Sequence, residues 1–360
     1  MRSAIILAGG QSRRFQDGSG QWVDKALAVL SGKPLLVHVI ERVKPVVDEI
    51  IICVNEASRG EHYLKILKDY SITDVKTCVD MRFSRVQGPF VAIATGLKKA
   101  ISEYCMVLPC DTPFIKPSVI DYLLRLVEDA DICVPTHPNG KIESLMFSCN
   151  REKAARNAET LCLLGRSKPI DIIRASSKIK FVSTISELKK LDPDFRSFIN
   201  INFRSDIINL PTRAPEEGPI IRSIDLRLTQ PSTRDLEFLG KIAKKYEDED
   251  YLDIADPLLE IISAIEEKGI YFWAGVLWET EGNIFRRLAS LDSKLDIKKE
   301  YYVKSKVAFE KAAGNFASEA EIYRREQIKF LFECANEDKV WCLNKRDEVT
   351  VNQTYLQYNK

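Results

Sequence analysis

The chain predicts an α/β amino-terminal domain, with a doubly wound and mostly parallel sheet, followed by an all-α carboxy-terminal domain. Three observations carry this. Apolar strand-like runs alternate with helix-period segments as far as about residue 210; a proline-rich stretch then interrupts the chain; beyond it the periodic segments are helical.

The strand-like runs are Ala4–Leu7, Glu49–Val54, Val75–Val79, Tyr104–Leu108 and Asp131–Val134. Between them lie helix-period segments at Pro34–Val43, Arg59–Asp69, Phe90–Ser102 and Pro117–Glu128. Pro34 and Pro117 suit a first helical turn, where a missing N–H costs nothing. The stripe Ile120, Leu123, Leu124 and Val127 marks a core-facing helix side. Residues 211–219, with three prolines and a glycine, read as a linker between a domain over 1–210 and one over 220–360. Past it, Ser232 and Thr233 before Asp235 resemble a helix start. Leu258, Ile261, Ile262 and Ile265 form one stripe; Phe309, Ala312, Ala313, Phe316, Ala320 and Tyr323 form another. The second alternates small and aromatic residues, faintly like a tetratricopeptide helix pair, but a single copy does not make a repeat.

At 360 residues the chain has room for two domains, and its 45% hydrophobic and 29% charged residues are ordinary for a soluble protein. A net charge of +1 gives no basic footprint for nucleic acid. The first apolar run is too short for a signal peptide or a membrane span, so a cytoplasmic protein with no membrane partner is expected. Nine cysteines include no Cys-x-x-Cys pair, and Cys53, Cys78, Cys105 and Cys133 fall in or beside strand runs as small hydrophobes. His38, His62 and His137 are scattered, without evident partners, which argues against histidine-based catalysis.

Four segments carry chemistry. The first strand breaks into Ala8-Gly9-Gly10-Gln11-Ser12-Arg13-Arg14 and reaches Asp24-Lys25. Glycines permit positive φ and close backbone approach, loop N–H groups form an anion-binding concavity, and Arg and Lys supply countercharge: a polyphosphate loop, or a surface turn with solvated basic residues. It is neither a P-loop nor a dinucleotide fingerprint. Asp111, held between Pro109 and Pro113 after a strand, suits a Mg²⁺ ligand completed by substrate phosphates, or an aspartate that opens a turn. Asp80, followed by Gln87-Gly88-Pro89, can accept hydrogen bonds from a base or ribose, or belong to an ordinary β–α turn. Phe198-Ile199-Asn200-Ile201-Asn202 reads as a strand with two same-face asparagines, lining a site or solvated at an edge.

Together LAGGQSRR, DKAL, QGP, PCDTPFI and FININ resemble, in order and spacing, the molybdenum-cofactor guanylyltransferases over roughly residues 1–210. PCDTPFI with the paired asparagines favours this branch over sugar, cobinamide or methylerythritol-phosphate nucleotidyltransferases. The resemblance implies a Rossmann-like nucleotidyltransferase fold and transfer of GMP from GTP to the phosphate of molybdopterin, releasing pyrophosphate, with Mg²⁺ as cofactor. It implies that Leu7, Ala8, Gly9 and Gly10 wrap GTP, that Arg14 and Lys25 face its phosphates, that Asn55 and Gly88 contact the nucleotide, and that Asp80 binds the guanosine. It further implies that Asp111 binds nucleotide and Mg²⁺ and that Asn200 and Asn202 line the site near the acceptor. Another nucleoside triphosphate or acceptor, such as CTP, and a non-catalytic nucleotide-binding module serving the helical domain are the competing readings. The helical domain's role stays open at this point between docking to a molybdoenzyme or another cofactor-biosynthesis protein, self-association and shielding of the catalytic half.

One departure stands out. Phe15 to Val23 separates Arg14 from Asp24-Lys25, an insertion relative to the family spacing, and Phe15-Gln16 replaces an expected glycine. Gly18 and Gly20 suit a pliable lid; the same insertion could equally carry Arg14 away from the phosphates.

Overall fold

The computed structural model describes residues 1–16, 22–213, 218 and 222–358. They form two compact units, Met1–Cys162 with Arg166–Arg227, and Leu163–Gly165 with Leu228–Lys360. The predicted lid, 17–21, lies outside the described residues, as do 214–217 and 219 of the predicted linker.

The strands of the first unit are β1 Arg2–Leu7, β2 Val29–Leu30, β3 Lys33–Pro34, β4 Glu49–Val54, β5 Lys76–Val79, β6 Tyr104–Pro109, β7 Ile132–Thr136, β8 Phe147–Asn150, β9 Lys178–Ser183 and β10 Ile224–Arg227. Its helices are α1 Leu35–Val43, α2 Ala57–Asp69, α3 Pro89–Lys99, α4 Pro117–Leu126, α5 Arg151–Leu163, α6 Asp171–Arg174 and α7 Ser205–Ile208. Eight strands form one sheet in the order β10-β9-β7-β8-β6-β1-β4-β5, and β2 and β3 make a separate hairpin. The sheet is mixed. β1, β4, β5 and β6 are parallel neighbours, as are β7 and β9, while β8 runs against β6 and β7 and β10 against β9. β10 joins this sheet from beyond the predicted linker.

β1 is a continuous apolar run because strands flank it on both sides and it is buried from Ser3 to Leu7. From β1 the chain winds to β4 and β5 on one side, then crosses to β6 on the other. That reversal leaves a crevice at the carboxyl ends of the central strands, where doubly wound sheets bind ligands. α3 covers this region closely. A Cβ on Gly96 would stand 2.3 Å from Ile5 Cγ2 and 2.9 Å from Cys53 Sγ, so only glycine lets the helix seat against the sheet.

The second unit is helical: α8 Thr233–Glu247, α9 Ala255–Glu267, α10 Tyr271–Leu291, α11 Leu295–Arg325 and α12 Lys329–Tyr358. α8 opens on a capping box, with Asp235 N donating to Ser232 Oγ at 3.2 Å and Ser232 N donating to Asp235 Oδ2 at 2.9 Å. Leu258, Ile261, Ile262 and Ile265 are buried on α9. The Phe309–Tyr323 stripe is buried too, but on one continuous helix, α11, rather than on a tetratricopeptide-like pair. No Pro lies between Leu295 and Arg325 to end it, and Gly314 sits within it. Among the described residues no helix is long and apolar enough to cross a membrane.

Candidate active site

A cavity of about 1040 Å³ opens at the carboxyl ends of β1, β4, β5 and β6. Leu7, Ala8, Gly9, Gly10, Arg14, Lys25, Asn55, Asp80, Gly88, Asp111 and Asn202 all line it. Asn200 lines an adjoining cavity of about 200 Å³, which shares Pro109, Asp111, Leu145 and Asn202 with the first. The sequence-predicted residues thus come together from five separate loops.

The glycine loop owes its shape to contact rather than to positive φ. Neither Gly9 nor Gly10 has positive φ; the left-handed residue is Ser12, at φ 51°. A Cβ on Gly9 would meet Asn55 N at 3.0 Å and Asp80 Oδ2 at 3.2 Å, so this glycine lets the loops after β1, β4 and β5 converge. Among the described residues Gly10 has no atom within 4 Å of an added Cβ. Gly88, at φ 101°, makes the turn that lets Pro89 open α3.

Arg59 and Tyr63, neither of them expected, hold this loop from behind. Arg59 donates to Asp24 Oδ1 and Oδ2 at 2.8 and 2.9 Å, to Gly10 O at 3.0 Å and to Asn55 Oδ1 at 3.1 Å. Tyr63 OH lies 2.7 Å from Asp24 Oδ2 and 3.2 Å from Ala8 O. Burial pushes the Tyr63 phenol well up, so it stays a neutral hydroxyl. One signal was available. Arg59, Tyr63 and Leu67 share the buried side of α2, and an arginine in a core-facing stripe needs a buried anion.

Asp24 also caps the turn that follows, accepting from Ala26 N at 3.0 Å, and so positions Lys25. The Lys25 ammonium bonds Asp111 Oδ2, while Asp111 Oδ1 is buried without a hydrogen-bond partner among the described residues. The insertion leaves this meeting intact because Gln16 closes its base. Gln16 Nε2 donates to Ser12 O and Val23 O, each at 2.9 Å, and Val23 N donates to Gln16 Oε1 at 2.9 Å. Phe15, where a glycine was expected, is buried among Ala28, Leu35, Ile199 and Ile201. Arg14 is exposed at the cavity wall and has no hydrogen bond or ion pair among the described residues.

Asp80 follows β5, and burial raises its carboxyl to about 6; its Oδ1 is buried without a partner among the described residues. The paired asparagines are not on a strand. Residues 196–198 form a short 3₁₀ turn, and the segment makes a single ladder-like bond, Ile201 N to Asp111 O at 2.9 Å. Asp206 Oδ2 then takes Asn202 N and Phe203 N at 2.7 and 2.8 Å, turning the chain before pairing can extend. Among the described residues no three His, Cys, Asp or Glu side chains cluster as metal ligands.

Comparison with known proteins shows the family of the first unit. Residues 4–179 match the MobA-like NTP transferase domain. The chain is 31% identical over 206 residues to a probable molybdenum cofactor guanylyltransferase of Methanosarcina acetivorans, covering 57% of this chain and 88% of that protein. It is 34% identical over 208 residues to the molybdenum cofactor guanylyltransferase of Desulfosudis oleivorans, covering 57% and 92%. A crystal structure of molybdopterin-guanine dinucleotide biosynthesis protein A from Archaeoglobus fulgidus aligns at 25% identity and a TM-score of 0.47, over 58% of this chain and 96% of that one. The chain belongs to the MobA-like NTP transferase family, and its first unit is a nucleotidyltransferase domain related to the molybdenum cofactor guanylyltransferases.

Proposed function

We propose that the larger cavity binds GTP with Mg²⁺ and that the protein transfers GMP to the phosphate of molybdopterin, held in the adjoining cavity. The observation that carries this reading is the Lys25–Asp111 pair beside the glycine loop, with a second carboxylate oxygen on Asp111 that has no partner among the described residues. The names of the relatives supply the nucleotide and the acceptor.

In the reaction an oxygen of the acceptor phosphate forms a bond to the α-phosphorus of GTP, and the bond from that phosphorus to the β-phosphate oxygen breaks. Pyrophosphate leaves with the electron pair. The attacking oxygen is already anionic, so no strong general base is needed. What the protein must supply is countercharge and alignment. The backbone of Ala8, Gly9 and Gly10 faces the triphosphate, and Lys25 neutralises it, with Arg14 at the wall. Arg59 holds the loop by its Gly10 carbonyl, so the donors are in place before substrate arrives. Asp80, once ionised, offers carboxylate oxygens to the paired N–H donors of guanine, and Asn55 stands beside it.

A magnesium ion fits the residues present. Asp111 Oδ1 is a buried carboxylate oxygen without a hydrogen-bond partner among the described residues, and Mg²⁺ commonly takes one or two carboxylates and completes its shell with phosphate oxygens and water. Asp111 would hold the ion, which when bound would supply positive charge to the phosphates.

The test is acceptor-dependent pyrophosphate release by the purified full chain with Mg²⁺, molybdopterin and each nucleoside triphosphate in turn. Release with GTP alone among the four is expected. Preferential release with CTP would replace guanine by cytosine, and tight nucleotide binding without release on any pterin acceptor would turn the domain into a sensor.

A further inference from the structure

The smaller cavity contains a carboxylate that the transfer chemistry does not use. Glu143 lines it together with Asp111, Asn200 and Asn202. A second negative charge is out of place where an anionic phosphate must bind, unless it faces a different part of the acceptor. Yet the protein works to keep Glu143 ionised. His137 Nε2 lies 2.7 Å from Glu143 Oε1 and donates to it, and Arg213 Nη1 pairs with the same oxygen at 2.9 Å. Burial works against the charge, but the His137 hydrogen bond and Arg213 outweigh it and hold the carboxyl below its ordinary value. His137, without evident partners in the sequence, is in fact the buried half of this pair.

Two details aim the group. Oε1 receives both His137 and Arg213, which leaves Oε2 without a hydrogen bond among the described residues. Arg213 also donates to Phe198 O, immediately before the Ile199–Asn202 segment, so one guanidinium ties the carboxylate to the asparagine wall of the same cavity.

We propose that Glu143 is a specificity residue: its free oxygen accepts hydrogen bonds from the N–H donor edge of a heterocyclic acceptor, with His137 and Arg213 as positioning residues. This rests on the acceptor occupying the smaller cavity, as proposed above. The acceptor's phosphate then lies toward Asp111, shared by both cavities, and its donor-rich ring toward Glu143. A fixed anion rewards a ring bearing amide and amino N–H groups and penalises one without them, because a buried acceptor left unpaired is costly.

The experiment measures kcat and KM for GTP and for two acceptors, molybdopterin and glycerol phosphate, in wild type, Glu143→Ala, Glu143→Gln and Arg213→Ala, with thermal melts alongside. For Glu143→Ala, KM for molybdopterin should rise about 10- to 100-fold, the range for a charge-assisted hydrogen bond, with KM for GTP unchanged. The preference for molybdopterin over glycerol phosphate should shrink by the same factor. Glu143→Gln keeps an acceptor oxygen and should recover part of the loss; Arg213→Ala should show a smaller shift of the same kind. An unchanged preference in well-folded Glu143→Ala overturns this inference alone. Should wild type release no pyrophosphate in response to molybdopterin, the functional reading fails and takes this inference with it.

Discussion

Arg59 meets Asp24 through two parallel hydrogen bonds, 2.9 and 2.8 Å, across 35 positions of sequence. Both side chains are over nine-tenths buried, so the pair has left water, and each charge depends on the other. The same guanidinium reaches Gly10 O and Asn55 Oδ1. One residue therefore couples the glycine loop, the Asp24 cap and the end of β4.

Removing it should damage fold and site together. Arg59→Ala strands the Asp24 carboxylate and should cost about 3–5 kcal/mol in urea unfolding. Arg59→Lys keeps the charge but not the fork, so it should unfold closer to wild type while losing nucleotide affinity about tenfold. Titration calorimetry with GTP and Mg²⁺ checks the second half. A lysine variant that binds as wild type does would show that the fork is not what shapes the loop.

Lys25 and Asp111 should behave oppositely, with large losses in rate and small ones in stability. Each lines the cavity, and each is expected to face developing charge, where removal of one preorganised group typically costs about 100- to 1,000-fold. Lys25→Ala and Asp111→Ala should fall in that range by acceptor-dependent pyrophosphate release, with melting temperatures near wild type. Wild-type turnover by Asp111→Ala at saturating Mg²⁺ would exclude Asp111 as the ion's ligand.

The glycine loop, Asp111 and the cap at Ser232 were legible because their chemistry is local. A strand's end, a run of glycines or a Ser-x-x-Asp can be read from a handful of consecutive residues. Arg59, Tyr63 and Glu143 were not, since each acts through a partner that only the winding of the sheet supplies. Arg213 lay in a stretch that composition marks as linker, and nothing nearby announces its bond to Phe198. The Phe198–Asn202 run misled for a related reason. Its alternation is that of a strand, but Asp206 takes the two N–H groups that pairing would have used. Phe15 shows the converse: it looked like a broken motif and is instead the apolar anchor that tolerates the insertion.

Asp80 gives the site a pH signature. Burial raises its carboxyl to about 6, so the free protein holds the proton at mildly acid pH and releases it near neutrality. In the proposed role only the ionised form would present two acceptor oxygens to guanine. Affinity for GTP should therefore rise as pH increases through about 6, and Asp80→Asn should bind weakly with that dependence abolished. Calorimetry from about pH 5 to about pH 8 measures this, and a flat wild-type profile would remove Asp80 from base recognition.

Glu281 should make the helical unit sensitive to pH in the opposite sense. It is fully buried on α10, and among the described residues neither carboxyl oxygen has a hydrogen-bond partner. Burial first, then Asp256 on α9, push its carboxyl up to about 8, against a smaller opposing pull from Lys304 on α11. Above about pH 4.5 the unfolded chain has released this proton while the folded chain retains it, so stability falls as pH rises and levels off only past about 8. At about 1.4 kcal/mol per pH unit of displacement, the penalty near pH 7 is about 3 kcal/mol, as an upper bound for a helix able to admit water. Glu281→Met keeps the volume and removes both the charge and the unpaired oxygens. It should raise the urea midpoint of the helical unit most at pH 8 and less at pH 5, where only the unpaired oxygens of the neutral acid are removed, and flatten the slope between them. Equal destabilisation at both values would mean that Glu281 is bonded in solution to a group that satisfies its charge.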